Sequence, residues 1–168
     1  MKRLVVFLVA IFASVTTLAA QNYMVVNSEQ IFKSITAYNS ALTELETLAS
    51  RYQTSVDAKF SAVEQLYNTY MAQRNSLTAA QRTQRESEIL KAEEEANEYQ
   101  ESIFSTEGEL MARRIELISP IQNRVFETIE SYAVTNGFDL VIDLSSNATV
   151  LYNSDRVNRT SEIINSLK

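Results

Sequence analysis

The chain has 168 residues, no cysteine, no histidine and a net charge of −6, from 15 Lys and Arg against 21 Asp and Glu. Without histidine or cysteine there is no imidazole acid–base chemistry, no Ser-His-Asp or Cys-His nucleophile, and none of the usual zinc ligands. The acidic balance argues against general nucleic-acid or anionic-membrane binding, and the length suits one domain plus an export signal.

Met1-Lys2-Arg3 opens the chain with positive charge, Leu4 to Val15 is almost unbroken apolar sequence, and small residues follow. This is the pattern of a secretory signal peptide over residues 1–20, cleaved after Ala20 or Ala19. The apolar run is too short for a stable membrane insertion, and no cysteine stands near the cleavage point to take a lipid. Loss of Lys2 and Arg3 leaves the exported chain two charges more negative. Residues 21–168 are expected to form a single unit, with a body from 21–36 and 134–168 and a helical arm over 37–133. With no disulfide, packing or oligomerisation must supply the stability.

Tyr23 to Asn27 is short, β-branched and aromatic, and reads as a strand. Asn27, with Gln30 three residues on, is placed to cap a short helix that buries Ile31, Phe32 and Ile35. Thr36 is expected to cap the first long helix of the arm. No glycine occurs before Gly108 and no proline before Pro120, so little interrupts helix propensity.

On the first helix, Leu42, Leu45, Leu48/Ala49, Tyr52, Val56, Phe60, Val63, Tyr67 and Tyr70 recur at steps of three and four. Such spacing draws a narrow stripe along one helix face. A weaker stripe follows on the second: Ile89, Ala92, Ala96, Tyr99, Ile103, Leu110, Leu117, Ile121, Val125 and Ile129. Between the two, Thr78 and Gln81 form a capping-box signature that starts a new helix. Two adjoining helices with narrow stripes predict an antiparallel coiled-coil hairpin. An arm of about 40 residues would reach about 60 Å, too long for a compact domain of this size.

Gly108 and Pro120 are the weak points of the second helix. Both are read as a hinge that lets the arm splay, and close approach of the partner helix is the other reading of Gly108. Arg74, Arg82, Arg85 and Lys91 gather near the turn, and Glu93, Glu94, Glu95, Glu98 and Glu101 follow. The basic tip is either a solvated coiled-coil surface or a contact for a polyanion or acidic protein segments. The glutamates lack the turn glycine and ligand spacing of a calcium loop.

Asn136-Gly137 supplies a left-handed helix stop. Phe138, Leu140, Ile142 and Leu144 then alternate as one face of a strand, a turn follows at Ser145-Ser146-Asn147, and Ala148 to Tyr152 is read as its hairpin partner. Thr160 is expected to cap a last helix with Ile163, Ile164 and Leu167 inward. Three short strands and two short helices bury little core and leave sheet edges open, so association of several copies is expected. Val25, Phe138, Leu140, Ile142, Leu144 and Val150 are the candidate oligomer residues. Asn147-Ala-Thr and Asn158-Arg-Thr match the short glycan-acceptor pattern.

No phosphate-cradling glycine loop is present, so no nucleotide or other cofactor is expected, and no convergent polar set suggests an enzyme. Tyr38, Tyr52, Tyr67, Tyr70 and Tyr99 lie on or beside the stripe and are read first as packing. The other reading is that Phe60, Tyr67, Tyr70, Met71, Ile103, Phe104 and Met111 line an adaptable surface for apolar client segments.

The order of signal, strand, long helical hairpin, β-hairpin and final helix resembles the Skp/OmpH family of periplasmic chaperones. The residues that carry it are Asp139-Leu-Val-Ile-Asp143, Val150-Leu-Tyr-Asn-Ser154 and Thr160-Ser-Glu-Ile-Ile164 before Lys168. Val25-Val26 with Ile31-Phe32, and Gly108-Glu-Leu-Met111 running on to Ile118-Ser-Pro-Ile-Gln122, fit as well. The resemblance implies an α+β fold in which the coiled-coil hairpin projects from a small β-sheet body. It also implies a jellyfish-shaped homotrimer in the periplasm. Its implied function is an ATP-independent holdase that keeps unfolded outer-membrane β-barrel proteins in a cavity between the arms. The alternative is a structural or adaptor coiled-coil protein of the cell envelope. One departure stands out: the best-known members are basic, whereas this chain is acidic, and the basic cluster of a family lipopolysaccharide site has no match here.

Overall fold

The computed structural model describes residues 22–145 and 150–168. The signal segment, the end of the turn and the start of the second hairpin strand lie outside them. In chain order the elements are β1 (Tyr23–Val26), α1 (Ser28–Ser34), α2 (Thr36–Gln73), α3 (Ala79–Phe104), α4 (Glu109–Thr135), β2 (Leu140–Asp143) and α5 (Thr160–Ser166). The fold is α+β, a long helical hairpin set in the chain between two short strands. None of the described helices is long and apolar enough to cross a membrane. Two compact units divide the described chain: residues up to 31 with those from 126 on, and residues 32–125.

In the first unit β1 and β2 run parallel, with Tyr23 opposite Leu140, Val25 opposite Ile142 and Val26 opposite Asp143. The other edge of β1 is also taken. Val25 N–H donates to the Val157 carbonyl at 2.9 Å, and Arg159 N–H donates to the Val25 carbonyl at 2.9 Å. Met24, Val25 and Val26 are all buried, as expected for a strand flanked on both edges and covered on both faces. Ile31, Ile163 and Leu167 join this core.

The predicted β-hairpin is therefore corrected. Among the described residues, Val150 to Asn153 form no strand, and β2 pairs with β1 across the whole helical segment. The alternation of Phe138 to Leu144 signals a strand but carries no information about its partner. A buried strand has two edges whose backbone groups must be paired, and β1 fills them with β2 and with Val157 to Arg159.

Two capping expectations also change. Asn27 does cap α1, its side-chain oxygen accepting from Gln30 N–H at 2.9 Å. Thr36 and Thr160, however, are the first helical residues, behind Ile35 and Arg159, neither of which makes a side-chain cap. Buried Thr160 instead ties distant segments: its hydroxyl accepts from Asn27 N–H at 2.9 Å and donates to the Asn158 side chain at 2.7 Å. At the other helix end the glycine stop forms as expected, with Gly137 at φ 68. Gly137 N–H donates to the Val134 carbonyl and Phe138 N–H to the Ala133 carbonyl, which are the two bonds of a Schellman motif.

In the second unit α2 and α3 form the predicted antiparallel hairpin. The Tyr70 hydroxyl bonds Glu86 near the turn, Lys59 lies 5.1 Å from the centre of the Tyr99 ring, and Arg113 of α4 holds Glu44 at 2.6 Å. Thus α3 and the start of α4 follow one course along α2. The capping box at Thr78 and Gln81 is present. The seam buries Ala41, Leu45, Val56, Tyr70, Ala96 and Ile103, so Leu42 and Tyr67 of the predicted stripe face outward. A core cluster of Ala41, Leu45 and Ile118 is packed by Tyr38, Leu110, Leu117 and Ile121. α4 runs through Pro120 without interruption.

Asp143, at the end of β2, accepts from Ser28 N–H at 3.0 Å and Ser28 Oγ at 2.6 Å. It also accepts from Ser145 N–H at 3.0 Å and Ser145 Oγ at 2.8 Å. Burial alone would raise its pKa, but these donors outweigh burial and bring it from 3.8 down to about 2. A depressed carboxylate stabilises the fold above its unfolded pKa and loses that contribution as pH falls through the folded value. Asp143→Asn is expected to destabilise the protein at pH 7 by about 1 kcal/mol, after allowance for solvent screening. Thermal melts should show the gap closing between about pH 4 and pH 2. A gap undiminished at pH 2 would mean that the charge of Asp143 is not what the serines hold.

Candidate functional site

The second arm is not one helix. α3 ends at Phe104, and Ser105 is extended at φ −67, ψ 169, its N–H donating to the Glu101 carbonyl at 3.1 Å. Gly108 N–H donates to the Ser105 carbonyl at 3.0 Å, and the Gly108 carbonyl accepts the opening bond of α4 from Ala112 N–H at 3.0 Å. Gly108 therefore lies in a break between helices rather than inside one. It is buried, and a Cβ at this position would stand 2.5 Å from the Ile103 carbonyl oxygen. The close approach that calls for glycine comes from the chain's own preceding turn, not from α2.

The break opens an apolar groove of about 320 Å3. Its walls are Leu45, Glu46 and Ala49 of α2, Ile103, Phe104 and Ser105 at the end of α3, and Leu110, Met111 and Arg114 of α4. Three of the client candidates, Ile103, Phe104 and Met111, come together here although a helix break separates them. Their exposure differs: Ile103 is buried and serves the seam, while Phe104 and Met111 are each 38% exposed at the mouth. Leu45, Ala49 and Leu110, read from periodicity as seam residues, also wall the groove. Periodicity identifies seam positions but cannot show that the helix stops and leaves them partly uncovered.

A larger cleft of about 950 Å3 lies on another flank of the same helices, around Thr43, Thr47, Arg51, Tyr52, Glu109 and Arg113. Several of its charged groups are paired within it. Arg113 pairs with Glu116 and with Glu44, each at 2.6 Å, and these hydrogen bonds push its guanidinium pKa upward. The Glu109 carboxylate pushes the Tyr52 phenol up by accepting its hydrogen bond. Three of the client candidates line the smaller groove and none lines this cleft, so the smaller groove is the better candidate.

The remaining client candidates divide. Tyr70 is buried, and its hydroxyl donates to Glu86, which pushes its pKa up; it is a seam residue. Tyr67 and Met71 are exposed on α2, and Phe60 is half-buried. None of these four lines the groove.

The basic tip is largely engaged by local partners, in the turn and along α3. Arg82 donates from Nε and Nη2 to the Leu77 carbonyl, both at 3.1 Å. Arg85 pairs with Glu88 at 2.8 Å, and Lys91 lies 3.7 Å from Glu95. Arg74 is close enough to Tyr70 to lower the phenol against the larger effect of Glu86. Among the described residues no group of acidic side chains is arranged to hold a metal ion.

In the sheet unit, Val25 is buried at the centre of β1 and its backbone is used within the chain. Phe138 is half-buried, stacked at 6.4 Å on Tyr132 and 5.7 Å from the Arg159 guanidinium. Ile142, Leu144 and Val150 are half-buried. Leu140, by contrast, is 55% exposed, and so are two residues outside the candidate set, Leu151 at 95% and Tyr152 at 84%.

A family model described as Outer membrane protein (OmpH-like) matches residues 22–167. No curated protein compared with the chain matches it.

The geometry of the break makes Gly108→Ala destabilising, because a methyl group forced against a backbone carbonyl displaces the turn. The expected loss is about 1–3 kcal/mol, read as a lower urea midpoint with an unchanged slope. Equal or higher stability would mean that the turn can relax without loss.

Proposed function

The chain belongs to the OmpH-like family, whose members are periplasmic chaperones of outer-membrane proteins, and on that premise we propose that it is an ATP-independent holdase for unfolded β-barrel clients. The observation that carries this reading is the apolar groove at the helix break, with Phe104 and Met111 exposed at its mouth. Two large apolar side chains held open beside a packed seam suit transient contact with unfolded segments. Met111 is flexible and polarisable and adapts to varied partners. Covering about 500 Å2 of client apolar surface across several such sites would yield roughly 12 kcal/mol before ordering costs. A client held by many weak contacts stays mobile, so release needs no nucleotide.

The working form in this proposal is a periplasmic homotrimer joined through the sheet units, with clients held between the hairpins of three copies. Leu140, Leu151 and Tyr152 support it, since exposed apolar residues beside a two-stranded sheet are an association surface.

Two outcomes are expected. Phe104→Ser with Met111→Ser should leave the melting temperature near that of the parent. It should also clearly weaken suppression of light scattering when a urea-unfolded β-barrel protein is diluted into buffer. Undiminished protection would remove the groove from the account, and no protection by the parent would favour an envelope spacer. Leu140→Asp should convert a sedimenting trimer into folded monomer, because Leu140 packs little within one chain. A parent that sediments as monomer at micromolar concentration would exclude the trimer.

A further inference from the structure

The apolar groove stops at Phe104, and the surface that adjoins it on α3 is anionic. Successive turns of α3 leading back from Phe104 place Glu101, Asn97, Glu93 and Leu90 within one stripe of the helix surface. The seam is built by Ile89, Ala92, Ala96, Tyr99 and Ile103, so this stripe lies on a different face. All four of its residues are exposed, Leu90 by 65%. Glu94 and Glu98 stand beside the stripe, on the side away from the seam, and are exposed as well.

These carboxylates are not answered within the helix. Among the described residues, the ion pairs on α3 are Arg85 with Glu88 and Lys91 with Glu95, and neither engages Glu93, Glu94, Glu98 or Glu101. Glu46 adds a carboxylate to the groove wall, where Arg114 is the one cation. An apolar groove thus opens directly onto an anionic helix face that has a single large apolar residue, Leu90, at its far end. An occupant that extends beyond the groove along α3 has to match both properties.

We propose that the groove and the adjoining face of α3 receive cationic amphipathic segments of unfolded clients, in which Lys or Arg follow a cluster of apolar residues. This deepens the holdase reading and rests on it. The apolar cluster enters the groove against Phe104 and Met111, and the cations run along α3 and meet the four glutamates. An acidic segment of equal hydropathy is repelled. Preference among clients then follows their local charge, not only their apolar content.

The test uses the mature full-length protein and two labelled peptides with the same apolar cluster, one followed by five lysines and the other by five glutamines. Fluorescence anisotropy at low salt should show the lysine peptide binding about tenfold more tightly, from several exposed ion pairs of modest individual strength. The preference should shrink as salt is raised, because exposed charges are screened. Replacing Glu93, Glu94, Glu98 and Glu101 together by glutamine should abolish it. A control removing the same charge elsewhere, Glu64→Gln, Glu127→Gln, Glu130→Gln and Asp155→Asn, should retain it. Equal affinity for both peptides, or equal loss in variant and control, would overturn the proposal. So would a second copy as the occupant, seen as a changed sedimentation coefficient in the α3 glutamine variant without any change in peptide preference. Suppression of aggregation of a neutral apolar client separates the two levels. It persists if only the charge preference fails, and it is absent from the parent if the holdase reading fails.

Discussion

Parallel pairing of β1 with β2 is the constraint on which the rest of the chain depends. Parallel strands cannot be joined by a tight turn, so the chain must travel away and come back before β2 can take its place. Here the connection is the whole run of helices from α1 to α4. β1 also takes Val157 to Arg159 on its other edge, so two segments from the far end of the chain meet on one strand. The Thr160 hydroxyl on Asn27 and the Asp143 carboxylate on Ser28 bind the same segments through side chains. In a unit this small, and without disulfides, such ties between distant segments take the place of a large core.

The hairpin is governed by a different balance. An antiparallel pair of helices has one seam, and much of each helix stays exposed. The seam here mixes small apolar residues with tyrosines whose hydroxyls are anchored on carboxylates, as Tyr70 is on Glu86. Arg113 performs a similar service across α2 and α4 through Glu44. These polar contacts set register, while the break at Ser105 to Gly108 leaves Phe104 and Met111 partly uncovered. The proposed holding function suits that arrangement, exposed apolar surface next to a packed seam. The acidic face of α3 and the engagement of Arg82 and Arg85 within the tip set the electrostatics of the hairpin.

Much of this was legible in the chain because the signals were local. The capping box at Thr78, the glycine stop at Gly137, the Asn27 cap and the three-four spacing of the seam each need only a few neighbouring residues. The strand over Leu140 to Asp143 was equally visible, but its partner was not. A period-two pattern says which residues share a face, not which edge receives them, and the nearest apolar run made a hairpin look natural. Gly108 shows the same limit. Glycine marks an interruption, yet whether the helix bends, ends or continues depends on the position of the Ile103 carbonyl. Burial separated Tyr70 from Tyr67, three residues apart on one stripe. A narrow seam discriminates between adjacent positions more sharply than a hydropathy period does.

In the proposed holdase, client chain is held at the groove where α3 gives way to α4. Site-specific photo-crosslinking tests it most directly, with a photoreactive phenylalanine analogue placed in turn at Phe104 and at the highly exposed Tyr152. Each protein is irradiated with an unfolded outer-membrane protein. Strong client adducts are expected from position 104 and weak ones from position 152, whose side chain belongs to the proposed assembly surface. Adducts from 152 alone, or none from 104 while the protein still prevents aggregation, would contradict it.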